Sequence, residues 1–172
     1  MLFRSNSNQT EKLYNTALEY ADLTGKENVA DLYCGAGTIS LLLAAHAAHV
    51  TGIEIVPDAV KDARNNAVRN HIGNADFICG AAEEALPELV RKGMRPDTVV
   101  MDPPRKGADD KVLLSLAGCG PEKIVYISCN PATLARDIKK LTAYVYRADR
   151  CQPVDMFCQT AGIETICKLH KT

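Results

Sequence analysis

The chain has 172 residues, of which 47% are hydrophobic, and its 20 basic and 21 acidic residues give a formal net charge of −1. This length fits a single domain over residues 1–172, with residues 1–9 as an N-terminal arm, and the hydrophobic fraction excludes a largely disordered chain. The near-neutral balance excludes the strongly basic profile of a stand-alone nucleic-acid binder, although it allows a local basic patch. No run is long and apolar enough to span a membrane, and the first residues lack the apolar stretch of a signal peptide, so we expect a cytoplasmic protein.

Short β-rich runs alternate with helical patterns along the chain, which predicts βαβ units and a mostly parallel sheet. The helical patterns cover residues 10–23, 38–48, 57–71, 82–91, 109–116 and 131–141. The predicted strands cover residues 29–33, 50–55, 76–79, 98–101, 124–128, 144–148 and 163–169. Because the last strand follows a loop too short for a crossover helix, we expect it to be antiparallel. The prediction is a doubly wound α/β sheet of seven strands, whose ligands bind at the carboxyl ends of the strands.

The cysteines and histidines show no metal-ligand spacing. The seven cysteines contain no C-x-x-C pair, and this spacing indicates neither a disulfide framework nor a zinc site of four cysteines. We expect most of these thiols to be small buried apolar groups in a reducing cytoplasm, and we expect no metal ion.

The first predicted strand ends in a glycine-containing loop that leads directly into a helix. Gly35 in this loop allows the backbone to come close to a bound nucleotide. Glu54 ends the second strand, where its carboxylate could accept hydrogen bonds from ribose hydroxyls. Ser40 stands where a dinucleotide fingerprint requires its third glycine, and the acidic Asp31 precedes the loop. These features favour S-adenosylmethionine over NAD, so an NAD-linked oxidoreductase is the weaker alternative, and a tight turn without a ligand is a third interpretation.

Two later strands end in motifs that could carry chemistry. Asp102 is followed by two prolines, which stiffen the chain and fix the direction of its carboxylate. Amino-methyltransferases place an aromatic residue after a similar motif, whereas this chain has Arg105, so transfer to an exocyclic amine is disfavoured. Cys129 follows the fifth strand, next to the helix that begins at Pro131. The positive end of that helix is expected to lower the thiol pKa, which makes Cys129 a candidate nucleophile.

Together these segments resemble the RNA uracil-C5 methyltransferases, which modify ribosomal or transfer RNA with S-adenosylmethionine. The resemblance rests on residues 31–38 (DLYCGAGT), 102–105 (DPPR), 128–131 (SCNP) and 154–157 (VDMF), together with Gln159, Thr160 and Glu164. It implies that Cys129 is the nucleophile and Glu164 the base. It also implies that Tyr33, Glu54 and Asp102 contact the cofactor.

The implied reaction explains why these residue types are needed. A thiolate adds to C6 of uracil, C5 then accepts the methyl group, and a base removes the C5 proton before the thiolate leaves. The uracil has to leave its stack to reach the site. The chain departs from the family pattern at Arg4, Cys158 and Gly162, the last two of which lie shortly before Glu164.

The resemblance also implies the partner. Family members of full length carry further domains before the catalytic one, so a non-catalytic cofactor- or RNA-binding fragment is an alternative to an enzyme. We expect a monomer that acts on structured RNA, ribosomal RNA rather than transfer RNA.

Overall fold

A computed structural model describes residues 7–156 and 163–172. The described helices are α1 (Ser7–Ala21), α2 (Thr38–Ala44), α3 (Pro57–Arg69), α4 (Ala82–Arg91), α5 (Asp110–Cys119) and α6 (Pro131–Thr142). The described strands are β1 (Asn28–Leu32), β2 (His49–Glu54), β3 (Ala75–Cys79), β4 (Thr98–Met101), β5 (Lys123–Ser128), β6 (Tyr146–Val154) and β7 (Glu164–Lys171). The motif residues Arg4, Phe157, Cys158, Gln159, Thr160 and Gly162 lie outside the described residues.

The strands form one seven-stranded sheet in the order β3-β2-β1-β4-β5-β7-β6. β1 to β5 pair in parallel, and β7 runs antiparallel to both β5 and β6. The predicted fold class, including the reversed last strand, is therefore confirmed. Because β7 is reversed, its first residue, Glu164, lies at the same edge of the sheet as the carboxyl ends of the parallel strands.

Both faces of the sheet are covered by helices, because alternate residues of the central strands point to opposite sides. In β4, Val99 and Met101 join the core on the side of α4, α5 and α6, whereas Val100 joins the core on the side of α1 and α2. These strand residues are completely buried. Among the described residues, no helix is long and apolar enough to cross a membrane.

Several element boundaries differ from the sequence prediction. α1 begins at Ser7, inside the segment predicted to be an arm, and α2 ends at Ala44 rather than at residue 48. The largest difference is β6, which extends to Val154 although the pattern predicted an end at Ala148. Its residues 147–153 are exposed along the sheet edge, so no alternation of buried and exposed residues marked the strand in the sequence.

The cysteines correct another prediction. Cys151 and Cys167 lie directly opposite each other in the β6–β7 ladder and form a disulfide, with 2.00 Å between the sulfur atoms. Of the described cysteines, only Cys119 and Cys167 are buried, so the expectation of mostly buried, unpaired thiols is wrong. The spacing rules failed because this pairing depends on strand register, which the sequence does not show.

Candidate functional site

The loop after β1 brings the backbone to the mouth of a cleft. Tyr33 and Gly35 have left-handed φ angles of 64° and 56°, and the Cys34 amide continues the ladder to the carbonyl oxygen of Ile53 at 3.1 Å. A Cβ atom on Gly35 would meet no atom within 4 Å, so the space beside this residue is open. A left-handed aromatic residue is uncommon in folded proteins, and such strain concentrates at functional sites.

Glu54 is hydrogen-bonded to the backbone of this loop. Its carboxylate accepts hydrogen bonds from the backbone amides of Gly35 at 3.0 Å and Val56 at 2.9 Å. These two bonds fix the direction of the side chain, and the free lone pairs of the carboxylate remain available to a ligand. The structure thus places Gly35 and Glu54, both predicted from the sequence, in direct contact.

The predicted cofactor residues lie side by side at the ends of three neighbouring strands. In the ladders, Leu32 is paired with Ile53 on one side and with Met101 on the other. The residues that follow these three, namely Tyr33, Glu54 and Asp102, therefore form a row across β2, β1 and β4. The Asp102 amide extends this pairing to the carbonyl oxygen of Leu32 at 3.3 Å.

The two predicted catalytic residues lie at the same end of the β5–β7 ladder. Ser128 of β5 is paired with Thr165 of β7, and Cys129 follows Ser128 while Glu164 precedes Thr165. The negative charge of Glu164 raises the pKa of the Cys129 thiol, so the two groups are close enough to interact. Both side chains are half-buried. The structure thus brings together all six residues singled out in the sequence, at one edge of the sheet.

The electrostatics of Cys129 differ from the sequence expectation. Burial raises the pKa of the thiol, and the negative charges of Glu164 and Asp102 raise it further. Arg105 has only a smaller, opposing effect. The prediction that this pKa is lowered is therefore wrong, because burial and the charges of Glu164 and Asp102 outweigh the groups that lower it.

The acidic groups of this edge are themselves perturbed. Asp31 is almost fully buried, and burial raises its pKa to about 7 although the Ser40 hydroxyl donates a hydrogen bond to it at 2.5 Å. Asp102 opens to solvent but is surrounded by protein on most sides, which, together with Glu164, raises its pKa to about 7. Burial also raises the pKa of Glu164. None of the ion pairs within the described part of the chain involves these three carboxyl groups.

The row of strand-end residues forms part of a cleft of about 380 Å³. Its lining consists of Tyr33, Glu54, Ile55, Glu83, Asp102, Pro104, Lys106, Gly107 and Asp109. Ile55 is 61% exposed, so it offers an apolar surface directly beside the carboxylate of Glu54. This combination suits an adenosine, because the apolar surface can pack on the base while Glu54 accepts hydrogen bonds from ribose. The carboxylate of Asp102 suits a cationic group at the other end of such a molecule.

Two residues near the site were not predicted. Tyr14 of α1 is half-buried, and burial followed by the charges of Asp102 and Asp31 raises its pKa, so its hydroxyl lies near both carboxyl groups. Asp137 of α6 is completely buried beneath the loop that follows Asp102. Nothing in the sequence marked either one, since both occupy ordinary positions in amphipathic helices. Across residues 7–156 and 163–172, no group of three or more His, Cys, Asp or Glu residues could hold a metal ion.

The fold and this cleft define a Rossmann-like methyltransferase domain. Residues 2–172 match the family model described as tRNA (uracil-5-)-methyltransferase, and the chain belongs to that family. Methyltransferases of this family use S-adenosylmethionine, which confirms the cofactor expected from the sequence and decides against the NAD-linked alternative.

Individual relatives agree with this assignment. The chain is 55% identical over 169 residues to an Enterococcus faecalis protein named an uncharacterized RNA methyltransferase, covering 98% of this chain and 37% of that protein. A solved structure, Pyrococcus abyssi tRNA (uracil-54, C5)-methyltransferase in complex with S-adenosyl-L-homocysteine, matches with a TM-score of 0.84 and 34% identity. That match covers 98% of this chain and 40% of the archaeal protein. The chain thus spans well under half the length of these relatives.

Proposed function

We propose that this domain transfers a methyl group from S-adenosylmethionine to C5 of a uridine in RNA, with Cys129 as the nucleophile and Glu164 as the base. The observation that supports this most directly is that Cys129 and Glu164 adjoin the last pair of the β5–β7 ladder, Ser128 with Thr165, where the charges of Glu164 and of Asp102 in the cofactor cleft act on the thiol. A nucleophile and a base that lie this close can act on neighbouring atoms of one small ring. C5 and C6 of uracil are such neighbouring atoms.

Cys129 makes the otherwise weakly nucleophilic C5 reactive. The thiol first loses its proton to water, and the thiolate then forms a bond to C6, which leaves an enolate whose C5 carbon can attack an electrophile. Burial and the two acidic neighbours raise the thiol pKa and therefore oppose formation of the thiolate in this step. When bound, S-adenosylmethionine supplies the electrophilic methyl group and a positive charge on sulfur.

Glu164 completes the reaction. After methyl transfer, C5 carries both a proton and the new methyl group, and the thiolate cannot leave until that proton is removed. The carboxylate of Glu164 accepts the proton, the C5–C6 double bond reforms, and the bond from Cys129 to C6 breaks. Burial raises the pKa of Glu164, which makes its ionised form a stronger base than an exposed carboxylate.

Asp102, Tyr33, Gly35 and Glu54 hold the cofactor in this proposal. Asp102 lines the cleft, and burial together with the negative charge of Glu164 raises its pKa. A cationic ligand would stabilise the charged form of Asp102, so binding and ionisation of this group should favour one another. Glu54, fixed by two backbone amides, is placed to receive ribose hydroxyls.

The substrate that we propose is a structured RNA. The sequence argument favours ribosomal RNA, whereas the matching family and the archaeal structure are both named for transfer RNA. Exposed basic residues, Arg105 and Lys106 of the loop after β4 and Lys139 of α6, could contact RNA phosphates. Arg136 and Lys140 contribute less to such a surface, because they form ion pairs with Asp137 and Asp110.

The test uses RNA that contains 5-fluorouridine, offered as transcripts of transfer RNA and of ribosomal RNA. Fluorine at C5 cannot leave as a proton, so the proposed reaction should stop at a covalent protein–RNA adduct that survives denaturation. The wild type and a Cys79→Ala control, which removes an exposed thiol, should form this adduct in the presence of S-adenosylmethionine. Cys129→Ala should not form it while still binding S-adenosylhomocysteine in a calorimeter. An adduct that persists in Cys129→Ala would contradict the proposed nucleophile.

A further inference from the structure

One wall of the cleft is formed by the loop between β4 and α5, residues 103–109, called here the 103–109 loop. Pro104, Lys106, Gly107 and Asp109 of this loop line the cleft. The facing wall comes from β1, β2 and α4, including Tyr33, Glu54 and Glu83. The width of the cleft therefore depends on where the 103–109 loop is held relative to the sheet.

Asp137 lies directly behind this wall and does not line the cleft. Its side chain is completely buried and accepts hydrogen bonds from the Ala108 amide at 2.9 Å, the Tyr126 hydroxyl at 2.7 Å and Nε of Arg136 at 2.8 Å. The Tyr126 hydroxyl also accepts a bond from the Ala108 amide at 3.2 Å. A buried carboxylate is very costly unless it is paired and hydrogen-bonded, so Asp137 depends on these three donors, of which the Ala108 amide belongs to the 103–109 loop.

Three further bonds tie the 103–109 loop to α6 and the residues just before it. Arg136 donates to the carbonyl oxygen of Lys106 at 2.9 Å. The carbonyl oxygen of Arg105 accepts from Asn130 at 3.2 Å and from Thr133 at 3.3 Å. Because Asn130 directly follows Cys129, the same group of bonds connects the wall of the cofactor cleft to the backbone of the proposed nucleophile.

Gly107 shows how closely the loop fits these side chains. Its φ angle is +84°, in the left-handed region, and a Cβ atom there would lie 2.5 Å from both Nη2 of Arg136 and Oδ2 of Asp137. Any side chain at position 107 would therefore displace either the loop or the two residues behind it.

We infer that Asp137 is a positioning residue for cofactor binding, which holds the 103–109 loop against the facing wall without itself touching the ligand. The inference rests on the proposed function in one respect, that the ligand of the cleft is S-adenosylmethionine. A wall that is already ordered in the free protein loses little conformational entropy when the ligand binds, and this raises affinity. Tyr126 and Arg136 belong to the same arrangement, since each contacts Asp137 and the loop backbone.

The experiment measures the binding of S-adenosylhomocysteine by calorimetry to the wild type, Asp137→Asn, Tyr126→Phe and a matched control, Tyr146→Phe. Tyr146 is also a buried tyrosine of the same core, but its hydroxyl donates to the carbonyl oxygen of Pro121 at 2.9 Å and does not reach the loop. We expect the Kd to rise about 10-fold in Asp137→Asn and about 3-fold in Tyr126→Phe, from the free energies typical of charged and neutral hydrogen bonds. Tyr146→Phe should leave the Kd within about 1.5-fold of the wild type despite a similar loss of stability.

Two other measurements separate positioning from a general loss of structure. Amide hydrogen exchange in the absence of any cofactor should accelerate at Ala108 in Asp137→Asn and Tyr126→Phe, and not in Tyr146→Phe. In methyl-transfer assays, the KM for S-adenosylmethionine should rise by the same factor as the Kd, while kcat at saturating cofactor stays within about twofold. If Asp137→Asn does not fold, Tyr126→Phe and Gly107→Ala test the same contacts from the strand and from the loop.

The outcomes distinguish this inference from the proposed function. A wild type that binds S-adenosylhomocysteine, with an unchanged Kd in the folded variants of the network, would overturn the inference alone. An equal weakening in Tyr146→Phe would also overturn it, because stability rather than loop position would then control binding. A wild type that binds no S-adenosylhomocysteine would overturn the proposed function, and with it the assignment of Asp137 to cofactor binding.

Discussion

Folding shifts the pKa values of acidic side chains in opposite directions at the two edges of the sheet. At the edge where the parallel strands begin, Glu27 accepts hydrogen bonds from the amide and hydroxyl of Thr24 at 2.8 and 2.7 Å. These bonds lower the pKa of Glu27 to about 2. Asp97 at the same edge accepts from the Asn28 amide at 2.8 Å and so fixes the start of β1. Both carboxylates thus have hydrogen-bond donors, and the charged form of Glu27 is stabilised by folding.

At the opposite edge, folding disfavours the charge. Burial raises the pKa of Asp31 and of Asp102 to about 7, and it raises that of Glu164 as well. Both edges belong to the same strands and carry the same residue types, so the difference lies in the number of donors and in solvent access. Charges that are costly in the free protein and cluster in a cleft are typical of functional sites, where a ligand supplies what the protein lacks.

The largest expected effect concerns Glu164 and tests whether its raised pKa belongs to a base. Glu164→Gln should still form the Cys129 adduct and still transfer the methyl group, because the base acts only after transfer. Release of methylated RNA should slow by about 10²–10⁴-fold, the usual loss for a positioned base. Mass spectrometry of the denatured protein should then show a methylated RNA adduct with ordinary uridine. Free methylated RNA at the wild-type rate, without a protein-bound species, would show that another group removes the C5 proton.

A smaller effect is expected at Glu54. Its carboxylate accepts hydrogen bonds, as that of Glu27 does, but it lies at the edge of the sheet that carries the cleft. Glu54→Ala should weaken the binding of S-adenosylmethionine by about 1.5–3 kcal/mol, as expected for hydrogen bonds to a charged group. Glu84→Ala is the matched control, since Glu84 is an exposed glutamate of α4 that does not line the cleft. Calorimetry that gave the two variants equal affinity in folded proteins would remove Glu54 from the cofactor site.

Much of the site could be predicted from the sequence because of one topological rule. The carboxyl ends of parallel strands meet at one edge, so the residues that end β1, β2, β4 and β5 are expected to be neighbours. The order of elements followed from the alternation of strand and helix patterns. The functional roles of the site residues rest on the family resemblance, and the roles of Cys129 and Glu164 stay predictions.

The features that could not be predicted depend on distances between residues far apart in the chain. Asp137 is paired with Ala108 and Tyr126, which no local pattern connects to it. Cys151 meets Cys167 only because β6 continues past Ala148 as an exposed edge strand. The raised pKa of Cys129 comes from burial, Glu164 and Asp102, whereas the sequence argument considered only the nearby helix start. In each case the local pattern was insufficient, because a contact between residues far apart in the chain decides the outcome.

The next prediction concerns stability and removes the titrating carboxyl group of Asp31, near the edge of the sheet where the parallel strands end. The folded pKa of Asp31 is about 7, against an ordinary value of 3.8, so the unfolded chain releases this proton at lower pH than the folded one. Wild-type stability is therefore lost as the pH rises from about 4 towards 7. Asp31→Asn keeps an acceptor for Ser40 but does not titrate. At pH 8 its free energy of unfolding should exceed that of the wild type by on the order of 1–3 kcal/mol, which urea unfolding would show as a higher midpoint. This difference should shrink towards pH 4.

Glu27 should behave in the opposite way, with the smallest effect. Its folded pKa of about 2 lies below the ordinary 4.5, so its contribution to stability is present above about pH 4.5 and is lost as the pH falls through 2. Glu27→Gln should therefore be less stable than the wild type at pH 8, by about 0.5 kcal/mol, since solvent screens this surface group. Urea unfolding of both variants at pH 8 decides the comparison, because opposite signs are predicted for two acid-to-amide substitutions at the two edges of the sheet. If both substitutions changed the free energy of unfolding in the same direction, the charged acidic groups at the two edges would not differ in their effect on stability.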